Sequence, residues 1–304
     1  YKFSEYNKDV TELPYSEDGN RIYYPNVEQK NFEKIPNIRI AYWLSNIIIN
    51  SFQFAKLKDI YKPKAGLSTG DNNRFLRLWH EVSKDKISFN CKKRDDLKTV
   101  GKKWYPMTKG GSFRKWYGNN EYVLNFYNDG EELKYWLVNN PNDPTTKSYS
   151  RYIRNYECYC LPGISFADVN SGSTNFRYQT YGYIPNARGP FIYSTSKNLL
   201  GFLNTKIPNE ILNALSPTMS FNVGDVGLLP FIEKESKDIN ETVEQNISIS
   251  KSDWDAHETS WDFRRNELLA IDAKTYEDNV RYEEEKRSAE TDGHIHEHIQ
   301  TAPA

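Results

Sequence analysis

Lys109-Gly-Gly-Ser-Phe-Arg-Lys-Trp-Tyr-Gly-Asn-Asn120 constrains this chain more than any other stretch. Its glycines and its terminal carboxamides bend the backbone into a loop and keep it out of helix or strand interiors. Around the bend lie Lys109, Arg114 and Lys115, interleaved with Phe113, Trp116 and Tyr117. Two readings fit such a loop. It is either a surface turn whose aromatics anchor it to the core, or a basic loop that grips phosphates, stacks on bases and hydrogen-bonds their edges.

Charge favours the second reading. Of the 40 Lys/Arg and 41 Asp/Glu, 9 and 19 fall in residues 231–304, which leaves 31 and 22 over residues 1–230. The formal net charge of -1 therefore hides a basic body and an acidic C-terminal extension. From Lys84 to Lys115 the body carries eleven cations against three acids, and this run ends in the glycine-aromatic loop. A solvated charged face has a similar composition, but this density fits a polyanion footprint better.

At 304 residues the chain suffices for one large domain or two smaller ones, and its 14% aromatic content supports a sizeable core. No apolar run approaches the roughly 18 to 20 residues of a membrane span, and no signal peptide is visible. Cys91, Cys158 and Cys160 are odd in number and without repeating spacing, which points to reduced thiols and a cytoplasmic setting. Cys158-x-Cys160 supplies at most half of a zinc site. The chain begins at Tyr1 and holds only two methionines, Met107 and Met219, so a piece of a longer protein is expected.

Periodicity predicts a helix within Ile40–Ile60, with Trp43, Leu44, Ile47, Ile48 and Phe52 on its apolar face. Gly66-Leu-Ser-Thr-Gly-Asp-Asn-Asn73 reads as a turn, and the residues up to Trp79 as a strand leaving it. Tyr122–Tyr127 and Phe191–Tyr193 are further strand candidates, with a turn at Asn128-Asp-Gly130. Residues 131–155 read as partly helical, and residues 196–215 as two helices with Pro208 in the first turn of the second. Phe221–Pro230 reads as a short strand and turn, Tyr276–Ala289 as an exposed helix, and the last dozen residues as disordered. The expected class is α+β.

Catalytic and cofactor motifs are sparse. Gly66-x-x-x-Gly70 lacks the Gly-Lys-Ser/Thr ending of a Walker A loop and does not open a Gly-x-Gly-x-x-Gly helix. His294, His296 and His298 alternate near the terminus with no supporting shell, and His80 and His257 have no nucleophile motif beside them. No metal site or catalytic residue is assigned. Asp253, Asp255, Glu258 and Asp262 are where a Mg²⁺-dependent nuclease would have to be sought.

Three blocks carry a resemblance. They are Phe32-Glu-Lys-Ile-Pro-Asn-Ile-Arg-Ile-Ala-Tyr-Trp-Leu-Ser45, the stretch from Lys64 through Gly66-Leu-Ser-Thr-Gly-Asp-Asn-Asn73 to Val82, and Lys103 to Asn120 followed by Asn128-Asp-Gly130. Weaker echoes follow at Phe202–Asn204, Asn222–Asp225 and Ser252–Phe263. In this order they resemble the region after the catalytic domain of PglX-type adenine-specific DNA methyltransferases from type 1 BREX phage-defence systems. The Gly-Leu-Ser-Thr-Gly-Asp-Asn block is also similar to the start of target-recognition domains in single-chain restriction-modification enzymes.

The resemblance implies a division of labour. In the family a Rossmann-like domain binds S-adenosylmethionine, and an Asn-Pro-Pro-Tyr motif holds a flipped adenine. Neither motif is present; the nearest string, Asn140-Pro-Asn-Asp143, lacks the second proline and the aromatic. The chain is therefore expected to recognise duplex DNA and to leave methyl transfer, and S-adenosylmethionine, to a domain outside it. The implied layout is a methyltransferase remnant and linker over 1–62, a target-recognition domain over 63–230, and an acidic, partly helical extension over 231–304.

The expected DNA contacts are Lys109, Arg114 and Lys115, with Arg114 the better base reader. Trp116 or Tyr117 would fill a flipped base's place or pack beneath the loop, and Asn119 or Asn120 would meet an adenine edge. Asp71, Asn72 and Arg74 form a second tier, and Asn175, Arg177 and Arg188 a third. Two other classes stay open: a restriction-type nuclease fragment, and an interaction module for other phage-defence subunits or an acidic, DNA-mimicking inhibitor.

Overall fold

The computed structural model describes residues 27–169, 173–216, 220–234 and 236–266, the backbone at 3–4 and 23–24, and isolated positions Leu269, Val280, Arg281 and Glu284. The chain forms two compact units, Tyr1–Trp254 and Asp255–Ala304. The first unit is α+β, with short helices around small, mainly antiparallel sheets.

In chain order the first unit holds the strand pair β1 (Phe3–Ser4) and β2 (Tyr23–Tyr24), then α1 (Asn46–Ser51), α2 (Leu57–Ile60) and α3 (Asn72–Phe75). These are followed by β3 (Leu76–Leu78), α4 (Asp96–Thr99), β4 (Trp104–Thr108), β5 (Tyr122–Asn125) and α5 (Tyr127–Val138). Strands β6 (Gly163–Ser165), β7 (Arg177–Gln179), β8 (Ile184–Pro185) and β9 (Phe191–Ile192) come next. Helices α6 (Lys197–Leu203), α7 (Lys206–Leu215), α8 (Val223–Gly227) and α9 (Lys237–Asp255) complete the order.

One sheet runs β3-β5-β4-β8, with only β4 and β8 parallel; the other, β7-β6-β9, is antiparallel throughout. Every side chain of β4 is buried. Pro106 has no N–H to give a ladder, yet it is tolerated in this inner strand because β8 pairs with β4 only from Met107 onward. The four-stranded sheet packs Leu76, Tyr105, Met107 and Leu124 against Phe126, Leu133 and Leu137 at the start and along the face of α5. A second core gathers Ile164, Phe176 and Ile192 with Leu199, Leu200, Leu203, Ile211 and Leu215 from α6 and α7.

Local chemistry sets the element ends. Asn128, Asp129 and Gly130 all adopt positive φ, so α5 is entered through a left-handed turn that asparagine and glycine tolerate. Asp129 is held there by Lys134 at 2.7 Å and by the Tyr156 hydroxyl. Ser196 caps α6 by accepting from the Leu199 N–H, and Pro208 lies in the first turn of α7, as the sequence predicts. In α9 the buried residues Val243, Ile247 and Trp254 recur at helical spacing, giving a polar helix one narrow apolar stripe.

Two sequence expectations need correction. The helix sought within Ile40–Ile60 is two short helices, because Ser45 caps α1 late and Lys56 pairs with Pro230 before α2 begins. Leu44, Ile49 and Phe52 are buried while Trp43 and Ile47 face solvent, so the anticipated apolar face never assembles. Phe221–Pro230 forms the helix α8 in place of a strand, since the Asn222 carboxamide accepts the Gly224 and Asp225 N–H groups. The segment 276–289 and the C-terminal dozen fall largely outside the described residues.

Gly66 marks a close approach of backbones. A Cβ there would lie 1.9 Å from the Pro185 carbonyl oxygen, whereas one at Gly101, with φ +66, would meet open space. Gly66→Ala should therefore destabilise the chain by at least about 2 kcal/mol, and Gly101→Ala by only about 1 kcal/mol, in urea unfolding. Equal costs would mean that the 66–186 contact yields without strain.

Candidate nucleic-acid interface

The two glycine-bearing blocks are far apart in sequence but meet on one turn. Asn186–Gly189 is a tight bend between β8 and β9, closed by the Gly189 N–H donating to the Asn186 carbonyl at 3.0 Å. On one side the Leu67 N–H donates to Pro185 and the Ala187 N–H to Leu67, both at 2.8 Å. On the other the Asn186 N–H donates to Thr108 at 3.1 Å, and the Thr108 hydroxyl donates to Gly189 at 2.9 Å. Arg188 projects from this bend with its side chain 68% exposed, tethered by one 2.6 Å ion pair to Asp168. Gly110 is adjacent, since a Cβ on it would stand 3.3 Å from both the Arg188 carbonyl and Ala167.

Most of the polar side chains in the 109–120 loop are engaged within the protein, Arg114 and Asn119 by carbonyls of the loop and Lys115 and Asn120 by residues outside it. Arg114 donates from Nε to the Tyr117 carbonyl at 2.9 Å and from Nη2 to the Ser250 carbonyl at 3.0 Å. It also pairs with Asp253 and lies over the Trp254 ring, so only 21% of its side chain is exposed. Lys115 donates to the Asn204 carbonyl at 2.8 Å, at the end of α6, and burial pulls its ammonium below the ordinary lysine range. Asn119 donates to the Gly110 and Ser112 carbonyls at 3.1 and 2.7 Å. Asn120 accepts from Gln179 at 3.1 Å and is buried.

Trp116 is half-buried with φ 71, an uncommon conformation for a bulky residue. It is held by its N–H donating to Phe176 at 2.9 Å and its carbonyl accepting from Tyr178 at 2.8 Å. Tyr117 is buried, with the Lys251 ammonium 5.0 Å from its ring centre. Lys109 is half-buried with its ammonium 4.3 Å over Tyr122, and it pairs with no carboxylate among the described residues.

The remaining expected positions divide. Asn175 and Arg177 are buried beneath the loop: Asn175 accepts from the Ala167 N–H at 2.8 Å, and Arg177 donates to the Gly110 and Arg114 carbonyls at 3.1 and 3.4 Å. Burial and the neighbouring Arg114 pull the Arg177 guanidinium down to about 10. Asp71 caps α3 and Asn72 accepts from Thr69 at 2.7 Å, so both shape the turn that opens the second block. Arg74 belongs to a different corner, paired with Glu132 at 2.9 Å and stacked over Trp136 at 4.7 Å. That guanidinium holds the Glu132 carboxyl below its usual range.

No protein-family model matches the sequence. Two relatives do. The adenine-specific methyltransferase PglX of Lacticaseibacillus casei (strain Zhang) is 34% identical over 272 residues, which is 88% of this chain and 22% of that protein. The adenine-specific methyltransferase BrxX of Escherichia coli O9:H4 (strain HS) is 33% identical over 254 residues, 81% of this chain and 19% of that protein. This chain is a homologue of the PglX and BrxX methyltransferases. It spans about a fifth of the length of either. Among solved structures, the type IIL restriction-modification enzyme MmeI in complex with DNA aligns with a TM-score of 0.46 and 11% identity, over 73% of this chain and 32% of that one.

Sequence reasoning missed three residues of this PglX/BrxX homologue. Phe113 is the exposed aromatic at the tip of the loop, where Gly111 and Ser112 are exposed beside it. Arg151 and Arg154 are exposed and line a cleft with Gly66, Ser68, Asp168 and Arg188. Their signal was Arg151-Tyr-Ile-Arg154, a basic-aromatic string shorter and less glycine-rich than the loop itself. Among the described residues no helix is long and apolar enough to cross a membrane, and no cluster of three His, Cys, Asp or Glu is placed to hold a metal.

Arg114 joins the loop to α9 of this homologue, so its loss should act on stability first. Arg114→Ala should cost about 1–3 kcal/mol and speed amide exchange along residues 237–254. Unchanged exchange there would show that the Ser250 and Asp253 contacts do not hold the helix.

Proposed function

We propose that this chain is the DNA-specificity region of an adenine-N6 DNA methyltransferase of phage-defence type. Residues 63–230 would form its target-recognition part, preceded by the end of the methyltransferase domain and followed by the acidic extension. Methyl transfer from S-adenosylmethionine would belong to residues outside this chain. The observation that carries the reading is the Asn186–Gly189 turn, which is hydrogen-bonded on one flank to the Gly66–Ser68 block and on the other to the strand that leads into the 109–120 loop.

Of the cations expected to contact DNA, Arg188 and Lys109 are the ones near that turn left to meet a ligand, with Phe113 an exposed aromatic of the same loop as Lys109. Arg188 replaces Arg114 as the proposed base reader, because a guanidinium tethered by a single exchangeable pair can present its fork to guanine. Arg114, Asn119 and Arg177 support the same contact from behind by fixing carbonyls of the loop, and Lys115 by bonding the Asn204 carbonyl at the end of α6. Asp71 and Asn72 shape the neighbouring turn.

Selection of the 304-residue chain on a random duplex library should enrich one short asymmetric motif. In anisotropy titrations, Arg188→Ala should lose about 1–3 kcal/mol and relax preference at one position. Lys109→Ala should weaken binding alike on all sequences and lower the salt slope by about 0.9. Enrichment of no motif would overturn target recognition.

A further inference from the structure

Resting on that reading, we propose that the cleft between Ser68, Arg151, Arg154 and Arg188 is an anion site that takes one phosphodiester of the DNA backbone. The cleft measures about 370 Å³ and is also lined by Gly66, Tyr152, Asp168 and Ala187. At ~30 Å³ per water it has room for a hydrated phosphodiester. Its three guanidinium groups face one carboxylate, that of Asp168, and this is already paired with Arg188. Neither Arg151 nor Arg154 pairs with a carboxylate among the described residues.

The wall that carries these two arginines is rigid. Ile153 between them is buried in the core of the four-stranded sheet, so both arginines flank an anchored residue. The Ser68 N–H donates to the Tyr152 carbonyl at 3.0 Å, and the Asn155 carboxamide donates to the Ala65 carbonyl at 2.8 Å. The Tyr159 hydroxyl donates to the Arg154 carbonyl at 3.0 Å. Asp143 accepts from the Tyr152 hydroxyl at 2.6 Å and from Thr145 and Thr146, which hold its carboxyl well below the usual range.

These bonds hold the wall in place, and neither guanidinium is tied up in an ion pair among the described residues. Arg154 uses Nε on the Arg151 carbonyl at 3.0 Å, and Arg151 lies near the Tyr152 ring. Two planar forks on a fixed wall suit a phosphate's paired oxygens. The Asp168–Arg188 pair forms the opposite wall. It directs the anion to Arg151 and Arg154 and leaves Arg188 at the turn, where a groove edge adjoining that phosphate would pass.

Anisotropy of the 304-residue chain on duplex DNA across salt concentrations tests the site. Arg151→Ala with Arg154→Ala should reduce the salt slope by about 0.9, equally for all sequences, with an unchanged circular dichroism spectrum. Asp168→Asn should bind every duplex more tightly, by at least about threefold, since it removes a like charge from the anion's path. In wild type, millimolar pyrophosphate should shift the Nε–Hε signals of Arg151 and Arg154 saturably. An unchanged slope in the double variant, or no pyrophosphate shift, overturns the site. Wild type that binds no duplex yet shows the pyrophosphate shift would sink the DNA reading while the anion site stands.

Discussion

A guanidinium without a carboxylate partner among the described residues is buried at the joint between the two sheets. Arg177 lies on an edge strand of the three-stranded sheet, 1% exposed, and its Nε has no partner. Taking such a charge out of water is expensive, and the two carbonyls it meets, those of Gly110 and Arg114, offset only part of the penalty. Those carbonyls belong to the loop that follows β4, so one side chain ties the loop to a sheet it is not part of. The parallel bridge between Trp116 and Arg177 ties the same two segments through the backbone.

The loop's other cations follow from this. A chain that turns through positive φ at Gly111, Trp116, Gly118 and Asn119 leaves carbonyls that no ladder or helix can satisfy. Arg114, Asn119 and Arg177 supply donors to them, and Ser250 on α9 bonds the Lys115 carbonyl and shares that of Tyr117 with Arg114. The loop's charge is thus partly structural. The residue types that make a segment look like a nucleic-acid grip are also those that hold an irregular loop together, because both tasks require cationic and amide donors.

That overlap explains what could be read from the sequence. The α+β class, the pair of helices α6 and α7, the strands β5 and β9, and the loop character of 109–120 were all legible, because each rests on local spacing or on glycine. Which way a loop side chain faces was not legible. It depends on φ at Trp116 and Asn119, and a positive φ at a tryptophan leaves no mark in the sequence. The meeting of Gly66–Ser68 with Thr108 across residues 185–189 is a long-range pairing, and nothing local foretells it. Arg188 therefore ranked last from sequence and stands most exposed of the nominated arginines in the fold. The mistaken helix over Ile40–Ile60 has the opposite origin: its periodicity was real, but Ser45 and the Lys56–Pro230 bridge cut it short.

The acidic C-terminal segment acquires a role that its charge alone conceals. Asp253, on α9, takes Arg114 out of the exposed charge, and Glu244 does the same to Lys197 at 3.0 Å. An excess of nine cations over residues 1–230 is therefore not nine charges offered to a ligand. What remains near the Asn186–Gly189 turn is a small set, Lys109, Arg151, Arg154 and Arg188, on a backbone fixed by hydrogen bonds from both motif blocks. A few charges held on a stiff frame favour register over raw affinity: long-range attraction scales with the number of cations, whereas discrimination scales with how little each can move. Of the loop's cations, Arg114 and Lys115 are spent on carbonyls within the protein, so the loop's composition overstates the charge it can offer a ligand.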